Sequence, residues 1–373
     1  MKLLILKYMD RSHPHAGGAE YYIHEVSERL VKYGYKIAIH SSEFPSCRRV
    51  EKTKGIVIIR RGRGLLTYLY AAIDYLSSLC REFDVVIDEY TKMFFLAPLY
   101  SRGYTVFMVH QLAKEVFPYE APYLPYRVAS LEDYILKKVY SKIPTIAASR
   151  STALELKRLG FRQVYVAEPG INKELLYKKR SPYVSNVIVY LGRLVRYKRI
   201  EDAIKVLYIV RKRISNVRLY VMGRLCDLKY LSFLKHLARR LGLSSHVKFL
   251  LNVSEKEKVE VLRRAMLMII PSVKEGWCIS VIEANALGIP VVAYDVPGLR
   301  DSIVNGVTGI TVPFAQVSLM ADAVTKLLTD TEVYEQMSIN CKEWASNFTW
   351  DRTAEKFRKA IDCLLYTSPS PRD

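Results

Sequence analysis

The amino-acid sequence predicts an α/β protein made of two doubly wound parallel-sheet domains. Three observations lead there. Short apolar runs, such as those at 84–88, 105–109 and 187–191, alternate with longer stretches whose apolar residues recur at helical spacing. Runs without polar alternation mark strands buried on both faces, and strand–helix alternation marks a parallel sheet covered by its crossover helices. A polar, basic stretch at 173–186 containing Pro182 separates two such series, and 373 residues suffice for two domains that each bury a core.

The first series opens with a strand at residues 2–7. The loop after it carries Gly17-Gly18-Ala19-Glu20, and an amphipathic helix is expected from about Tyr21 to Lys32. Paired glycines between strand and helix let backbone approach a phosphate and leave the helix N-terminus aimed at it, although glycines of an ordinary tight turn read the same. Strands follow at about 36–40, 56–60, 84–88 and 105–109, with a helical pattern over Leu65–Leu79. His110 directly follows Thr105–Val109, at the carboxyl end of a strand, where open parallel sheets place their ligands. The segment Tyr119–Tyr140 is rich in tyrosine and lysine; Tyr126, Leu131, Tyr134, Ile135, Lys137 and Lys138 suggest a helix, either an ordinary surface helix or one that lies on a membrane. Ile143–Ser149 reads as a strand ending at a serine that caps a helix at 150–159, and the run from Val164 to Ile171 closes a first domain at 1–172, with 173–186 as linker.

The second domain is expected over 187–349. Its first strand ends at Leu191-Gly192-Arg193, and Lys198 precedes a helix over Ile200–Arg213. Two fixed cations beside a helix N-terminus are suited to the charge that builds on a departing diphosphate, though in a chain this basic any one Arg or Lys is ordinarily just solvated. A strand at Leu219–Gly223, another at Val247–Leu251 and a helix at Ser254–Ala265 follow. Met266–Ser272 is then an apolar run stopped by Pro271, a buried strand opening into the loop Glu275-Gly276-Trp277-Cys278-Ile279. Val281, Ile282, Ala286 and Leu287 recur at helical spacing until Gly288 and Pro290, and Val291-Val292-Ala293 begins the next strand. This places Glu275 in a crevice loop and Glu283 two turns along the following helix. Such carboxylates accept hydrogen bonds from vicinal hydroxyls, and the amides of Gly276 to Ile279 at a helix start can donate to phosphate, an arrangement suited to a sugar nucleotide. After Gly309–Val312, helices are expected near 316–328, 331–346 and 350–364; residues 365–373 lack apolar periodicity and read as a non-native tail.

The Glu275-x7-Glu283 segment, its apolar strand, its Ala-rich helix and the downstream Pro297–Gly309 stretch resemble the E-x7-E region of glycosyltransferase family 4, also described as glycosyl transferases group 1. GGAE at 17–20 and G-R-L-x-x-x-K-R at 192–199 extend the likeness over nearly the whole chain. The resemblance implies the GT-B architecture: two Rossmann-like domains facing across a cleft, acceptor on the N-terminal side, nucleotide sugar on the C-terminal side, and a last helix crossing back to the first domain. It also implies retaining transfer of a hexose-type sugar from a UDP- or GDP-sugar to a glycan, lipid-linked or small-molecule acceptor in polysaccharide or glycoconjugate biosynthesis. On this resemblance Glu283 serves the ribose hydroxyls and Glu275 the sugar hydroxyls near the reacting carbon. Arg193, Lys198 and the Gly17-Gly18 loop serve the leaving diphosphate, and His110 lies near sugar and acceptor. Three positions depart from the family pattern: Gln111, where a small or acidic residue is usual, Arg224-Leu225-Cys226, where a second glycine is common, and Cys278, where glycine is frequent.

Bulk properties narrow the field further. No Asp-x-Asp motif is present, so the cations are expected to do the work of a metal, with no cofactor and no metal required. Six cysteines form no C-x2-C pair and are expected to be reduced; the Cys278 thiol has no partner in the sequence and reads as a tolerated small side chain. The amino terminus reads as a strand and no apolar run reaches membrane-spanning length, so a cytoplasmic location is expected. The net charge of +20 requires an anionic partner, but residues 1–180 hold 29 basic and 18 acidic side chains and residues 181–373 hold 28 and 19. That even spread, without a basic tail or nucleic-acid motif, argues against nucleic acid and leaves an anionic substrate or the inner face of the cell membrane. Two rivals stay open: a sugar-nucleotide epimerase on the same scaffold, and a non-catalytic binder of nucleotide sugars or polyanions.

Overall fold

A computed structural model describes residues 1–91, 93–120, 127–181 and 186–367; of 127–129 and 364–367 only the backbone is considered. Tyr126, Pro182 and the last six positions of the expected tail lie outside the described residues.

The chain runs β1 (Lys2–Leu6), α1 (Gly18–Lys32), β2 (Lys36–Ser41), β3 (Val50–Thr53), β4 (Ile56–Arg60), α2 (Leu66–Ser77), β5 (Val85–Tyr90), β6 (Tyr104–Val109), α3 (Phe117–Glu120), α4 (Arg127–Ile135), β7 (Thr145–Ala147), α5 (Arg150–Arg158) and β8 (Val164–Val166). It continues through β9 (Val187–Leu191), α6 (Ile200–Arg211), β10 (Arg218–Gly223), α7 (Leu228–Arg240), β11 (Val247–Leu251), α8 (Glu255–Arg264), β12 (Leu267–Ile270) and α9 (Ile279–Ala286). The remaining elements are β13 (Val291–Tyr294), α10 (Leu299–Ser302), β14 (Gly309–Val312), α11 (Val317–Thr329), α12 (Thr331–Ala345) and α13 (Trp350–Thr367).

Two compact units result. One holds the described residues within 1–114, 124–170 and from Trp350 onward; the other holds those within 115–123 and 171–349. The first unit carries an eight-stranded sheet in the order β3-β4-β2-β1-β5-β6-β7-β8, in which β3 alone pairs antiparallel, with β4. Leu3, Leu4, Ile5 and Leu6 of the central β1 are all buried, as a strand covered on both faces requires. On one side α13 lies on α1: Arg29 Nε donates to Asp351 Oδ1 at 2.7 Å, and Tyr35 donates to Asp362 at 2.9 Å. Ser149 caps α5 by accepting from the Thr152 amide.

The second unit is a six-stranded, wholly parallel sheet in the order β11-β10-β9-β12-β13-β14. Ser254 and Glu257 form a capping box at the start of α8. Gly223 ends β10 with φ +154°, and a Cβ there would stand 1.8 Å from the Gly192 carbonyl oxygen; the ends of β9 and β10 can approach only because no side chain intervenes.

Three boundaries differ from the sequence expectation. The stretch read as a linker at 173–186 begins inside the second unit: Leu175, on a single 3-10 turn capped by Asn172, is buried in that unit's core. Residues 115–120, placed by sequence in the first domain, pack with the second. The last helix continues to Thr367 because no breaker precedes Pro369, so residues 365–367 are helical. Among the described residues no helix is long and apolar enough to cross a membrane.

Candidate functional site

In the second unit Arg193, Lys198 and Glu275, three of the side chains predicted from sequence, lie at the carboxyl ends of β9 and β12. β9 delivers Gly192 and Arg193; a 3-10 turn over Arg196–Lys198 then sets Lys198 at the start of α6. Arg193 is held by its own surroundings, Nη2 donating to the Tyr197 hydroxyl at 2.8 Å while its carbonyl accepts from the Tyr190 hydroxyl at 3.0 Å. Beyond β12, the loop brings Glu275 against this turn. Lys198 Nζ lies 2.5 Å from Glu275 Oε1, and the same oxygen accepts from Ser272 Oγ at 2.6 Å. Both partners are buried, Lys198 with 9 % of its surface exposed and Glu275 with 7 %. Burial alone would lower the pKa of Lys198, but the Glu275 carboxylate beside it holds that pKa above the usual lysine range. The lysine is therefore held charged where the strands open.

The loop itself is fixed by backbone packing. Gly298, with φ +81°, lies so close to the Glu275 backbone that a Cβ would stand 2.1 Å from the Glu275 carbonyl oxygen. The Glu275 amide in turn donates to the Pro297 carbonyl at 3.2 Å. Trp277 turns its ring into the core against Phe348, at 4.9 Å between centroids, so what it can offer a ligand is its backbone. Gly276 precedes it, Cys278 caps α9 and Ile279 begins it. Glu283 sits on α9, where Lys258 Nζ of α8 donates to its Oε1 at 2.7 Å. Sequence reading singled out neither Lys258 nor Ser272. It also passed over Lys274, which is buried beside Glu275 and pairs with Glu115 of the same unit at 2.7 Å.

In the first unit, His110 leaves β6 and its Nε2 lies 2.6 Å from Glu89 Oε1. Glu89, on β5, is fully buried, and Lys7 Nζ, just past the end of β1, lies 2.6 Å and 2.5 Å from its two oxygens. Lys7 also lies 3.3 Å from Glu20 Oε1 on α1, and Glu20 Oε2 accepts from the Gly17 amide at 2.6 Å. A continuous run of charge thus links the Gly17 loop to His110. Within the loop expected to approach a phosphate, the Gly17 amide donates to Glu20, and Gly18 is the first residue of α1. Burial would lower the pKa of Lys7, yet Glu89 and Glu20 raise it; burial would raise that of Glu20, yet Lys7 lowers it. Lys7 and Glu20 are thus both held in their charged forms.

A model described as Glycosyltransferase Family 4 matches residues 16–175, and one described as Glycosyl transferases group 1 matches residues 172–344. The chain belongs to this glycosyltransferase family. A D-inositol 3-phosphate glycosyltransferase of Paenarthrobacter aurescens is 31% identical over 218 residues, 54% of this chain and 53% of that protein. The chain thus spans about half the length of the curated relatives it matches. Sucrose-phosphate synthase from Thermosynechococcus elongatus superposes with a TM-score of 0.84 at 19% identity, covering 98% of this chain and 100% of that one. Anabaena HepE in complex with UDP and glucose gives 0.77 at 18% identity, covering 97% and 100%. At such identity these structures establish the shared GT-B fold.

Against the family 4 pattern, Cys278 is the departure with a measurable cost. Its φ of 72° lies in the left-handed region, which costs a residue with a Cβ about 1–2 kcal/mol. Its Sγ lies 3.2 Å from Ser280 Oγ, and burial, followed by the Glu275 charge, pushes the thiol up to about 12. A thiol held protonated is a weak nucleophile at neutral pH. Cys278→Gly is expected to raise stability by roughly 0.5–1 kcal/mol, the relief of strain exceeding the added flexibility of the unfolded chain. Urea denaturation checks this, and a lower midpoint in the variant would show that thiol packing outweighs the strain.

Proposed function

We propose that the protein transfers a hexose from a nucleoside-diphosphate sugar to a hydroxyl acceptor, with retention and without a metal. The observation that carries this reading is the buried Lys198–Glu275 pair beside Arg193 at the start of α6, within the part of the chain matched by the group 1 family. Arg193 and Lys198 meet the charge that develops on the diphosphate as the glycosidic bond breaks, Glu275 accepts from the sugar, and Glu283 accepts from the ribose. The acceptor oxygen forms its bond to the anomeric carbon on the face the diphosphate leaves, and the acceptor proton passes to a donor phosphate oxygen. His110 orients the acceptor.

UDP is the first choice of base, because the neighbour HepE was crystallised with UDP and with UDP-glucose. Among acceptors, phosphorylated polyols come first, since the relatives named above are D-inositol 3-phosphate glycosyltransferases and a chain of net charge +20 favours an anionic acceptor. A cytoplasmic site of action suits both substrates.

Thermal melting with UDP, GDP and their sugars in the presence of a chelator tests the reading. Donor at about 100 times its dissociation constant should add roughly 2.7 kcal/mol to stability. The shift is expected with one base only, and is expected to vanish in Glu283→Ala and in the double change Arg193→Ala with Lys198→Ala. A shift that appears only with magnesium removes the metal-free mechanism; nucleotide release without glycosylated product from any acceptor removes transfer and favours the epimerase or a hydrolase.

A further inference from the structure

Glu89 has one partner more than its burial requires. Lys7 Nζ lies 2.6 Å from its Oε1 and 2.5 Å from its Oε2, so a single ammonium already spans both oxygens of this fully buried carboxylate. His110 Nε2 is nonetheless brought to 2.6 Å from the same Oε1. The two side chains come from adjacent strands: Tyr90 of β5 pairs with Val109 of β6, Glu89 precedes the one and His110 follows the other. The ring is held from other sides as well. Tyr22 of α1 stands edge-on to the imidazole, 5.2 Å between centroids and 84° between planes, and is itself fixed by donating to the Ala167 carbonyl at 2.9 Å. Thr152 of α5 donates to the His110 carbonyl at 3.3 Å, and the Ala113 amide, three residues on, donates to buried Glu132 at 2.8 Å.

The chemistry of the partners assigns the ring hydrogen. An ammonium only donates, so both Glu89 oxygens act as acceptors toward Lys7, and the nitrogen that meets Oε1 must supply a hydrogen of its own. In the neutral ring that hydrogen is on Nε2, and the lone pair is left on Nδ1, because the bond made by one nitrogen decides the tautomer at the other. Nδ1 makes no hydrogen bond among the described residues, and the His110 side chain keeps 13% of its surface exposed just past the end of β6. A fixed acceptor atom thus stands where the strand opens.

We propose that Glu89 is a positioning residue: with Lys7 as its counter-ion it fixes His110 as the Nε2–H tautomer, so that Nδ1 accepts a hydrogen bond from a hydroxyl of the acceptor. This role rests on the reading in which His110 orients the acceptor, and it specifies what is oriented. A lone pair on Nδ1 repels a phosphate or carboxylate oxygen, so the group met here is a hydroxyl, and an anionic group of the acceptor is met elsewhere. The hydroxyl held by Nδ1 is a neighbour of the reacting one, whose proton still passes to the donor phosphate.

Nitrogen NMR of the full chain, its histidines labelled with nitrogen-15, tests the tautomer, the His110 signals being those lost in His110→Gln. Hydrogen on Nε2 and none on Nδ1 is expected in the wild type at about pH 8. A mixture of tautomers is expected in Glu89→Gln and in Glu89→Gln with Lys7→Met, because an amide can turn either its oxygen or its nitrogen to the ring. The paired variant removes both charges together, and its melting temperature reports that the fold is kept. With UDP-glucose and a phosphorylated polyol, its kcat/KM for the acceptor is expected to fall about tenfold, the worth of one hydrogen bond, while KM for the donor and the melting shift with UDP are unchanged. Hydrogen on Nδ1 in the wild type overturns the proposal, as does a tautomer unchanged in both variants, or a changed tautomer with unaltered acceptor kinetics. A wild type that binds no nucleotide and transfers to no hydroxyl removes the functional reading itself, and a tautomer still fixed by Glu89 would then be structural only.

Discussion

Lys7→Met is expected to cost about 3–5 kcal/mol of folding stability, among the largest effects of any single substitution in the first unit. Methionine fills the lysine's space well enough, so the loss is not one of packing. It comes from leaving Glu89, which has no exposed surface, and Glu20 facing each other with their common cation gone. The sign of the pH dependence follows from the two shifts. Glu20 lies below its ordinary pKa, so its contribution is present above the usual carboxylate range and is lost as pH falls; Lys7 lies above its ordinary value, so its contribution is present below the usual lysine range and is lost as pH rises. Between those limits both shifts favour the folded state. Urea denaturation of Lys7→Met, Glu89→Gln and the double variant measures the coupling. The double variant should recover most of the loss, because neutralising Glu89 removes the charge that Lys7 compensates. A single-variant loss below about 1 kcal/mol would mean that the carboxylates protonate cheaply and that the lysine is not what holds them.

How much of this was legible beforehand depended on whether the signal was local. The fold class was legible because buried parallel strands are continuous apolar runs, and Val187–Leu191 or Thr105–Val109 can hardly be anything else. β3 was not, because Val50-Glu-Lys-Thr53 is a short polar edge and its two-residue turn is Lys54-Gly55, both at positive φ, where Asn-Gly would have been the recognisable form. Arg193, Lys198, Glu275 and Glu283 were legible through a motif. Their partners were not: Lys258 meets Glu283 from another helix, and Lys7 meets Glu89 across 82 residues of sequence. Lys7 in particular is only the last residue of the strand expected at 2–7, and nothing in Leu3-Leu-Ile-Leu6 tells that the neighbouring strand supplies its buried carboxylate. Non-local charge compensation leaves no periodicity to read, which is why the first unit's cluster appeared only with the structure. The outer face of α2 shows the converse. Leu66, Leu69, Ile73 and Leu76 look like core residues in sequence, and only the fold shows that Ala71 and Tyr75 take the inner side.

Lys198→Ala is expected to lower kcat by about 10²–10³, the scale of removing one fixed donor from a site where charge develops. The difficulty is that Lys198 holds two positions at once. It compensates buried Glu275, so its loss also destabilises the second unit, and a lowered rate could come from a smaller folded fraction. Pairing it with Glu275→Gln separates the two, because glutamine keeps the acceptor oxygen for Ser272 and removes the uncompensated charge. If the lysine is only a structural counter-ion, the double variant should regain both stability and kcat apart from the contribution of Glu275 itself, and it should match Glu275→Gln alone. If the lysine stabilises the leaving diphosphate, the double variant should regain stability yet remain about 10²–10³ slower than Glu275→Gln alone, with the loss in kcat exceeding the change in KM, because the charge it meets is greatest in the transition state. Steady-state kinetics of the three variants, normalised to folded protein by urea denaturation, decide between these outcomes. Equal rates in Glu275→Gln and in the double variant would leave Arg193 as the cation on which leaving-group stabilisation in this unit rests.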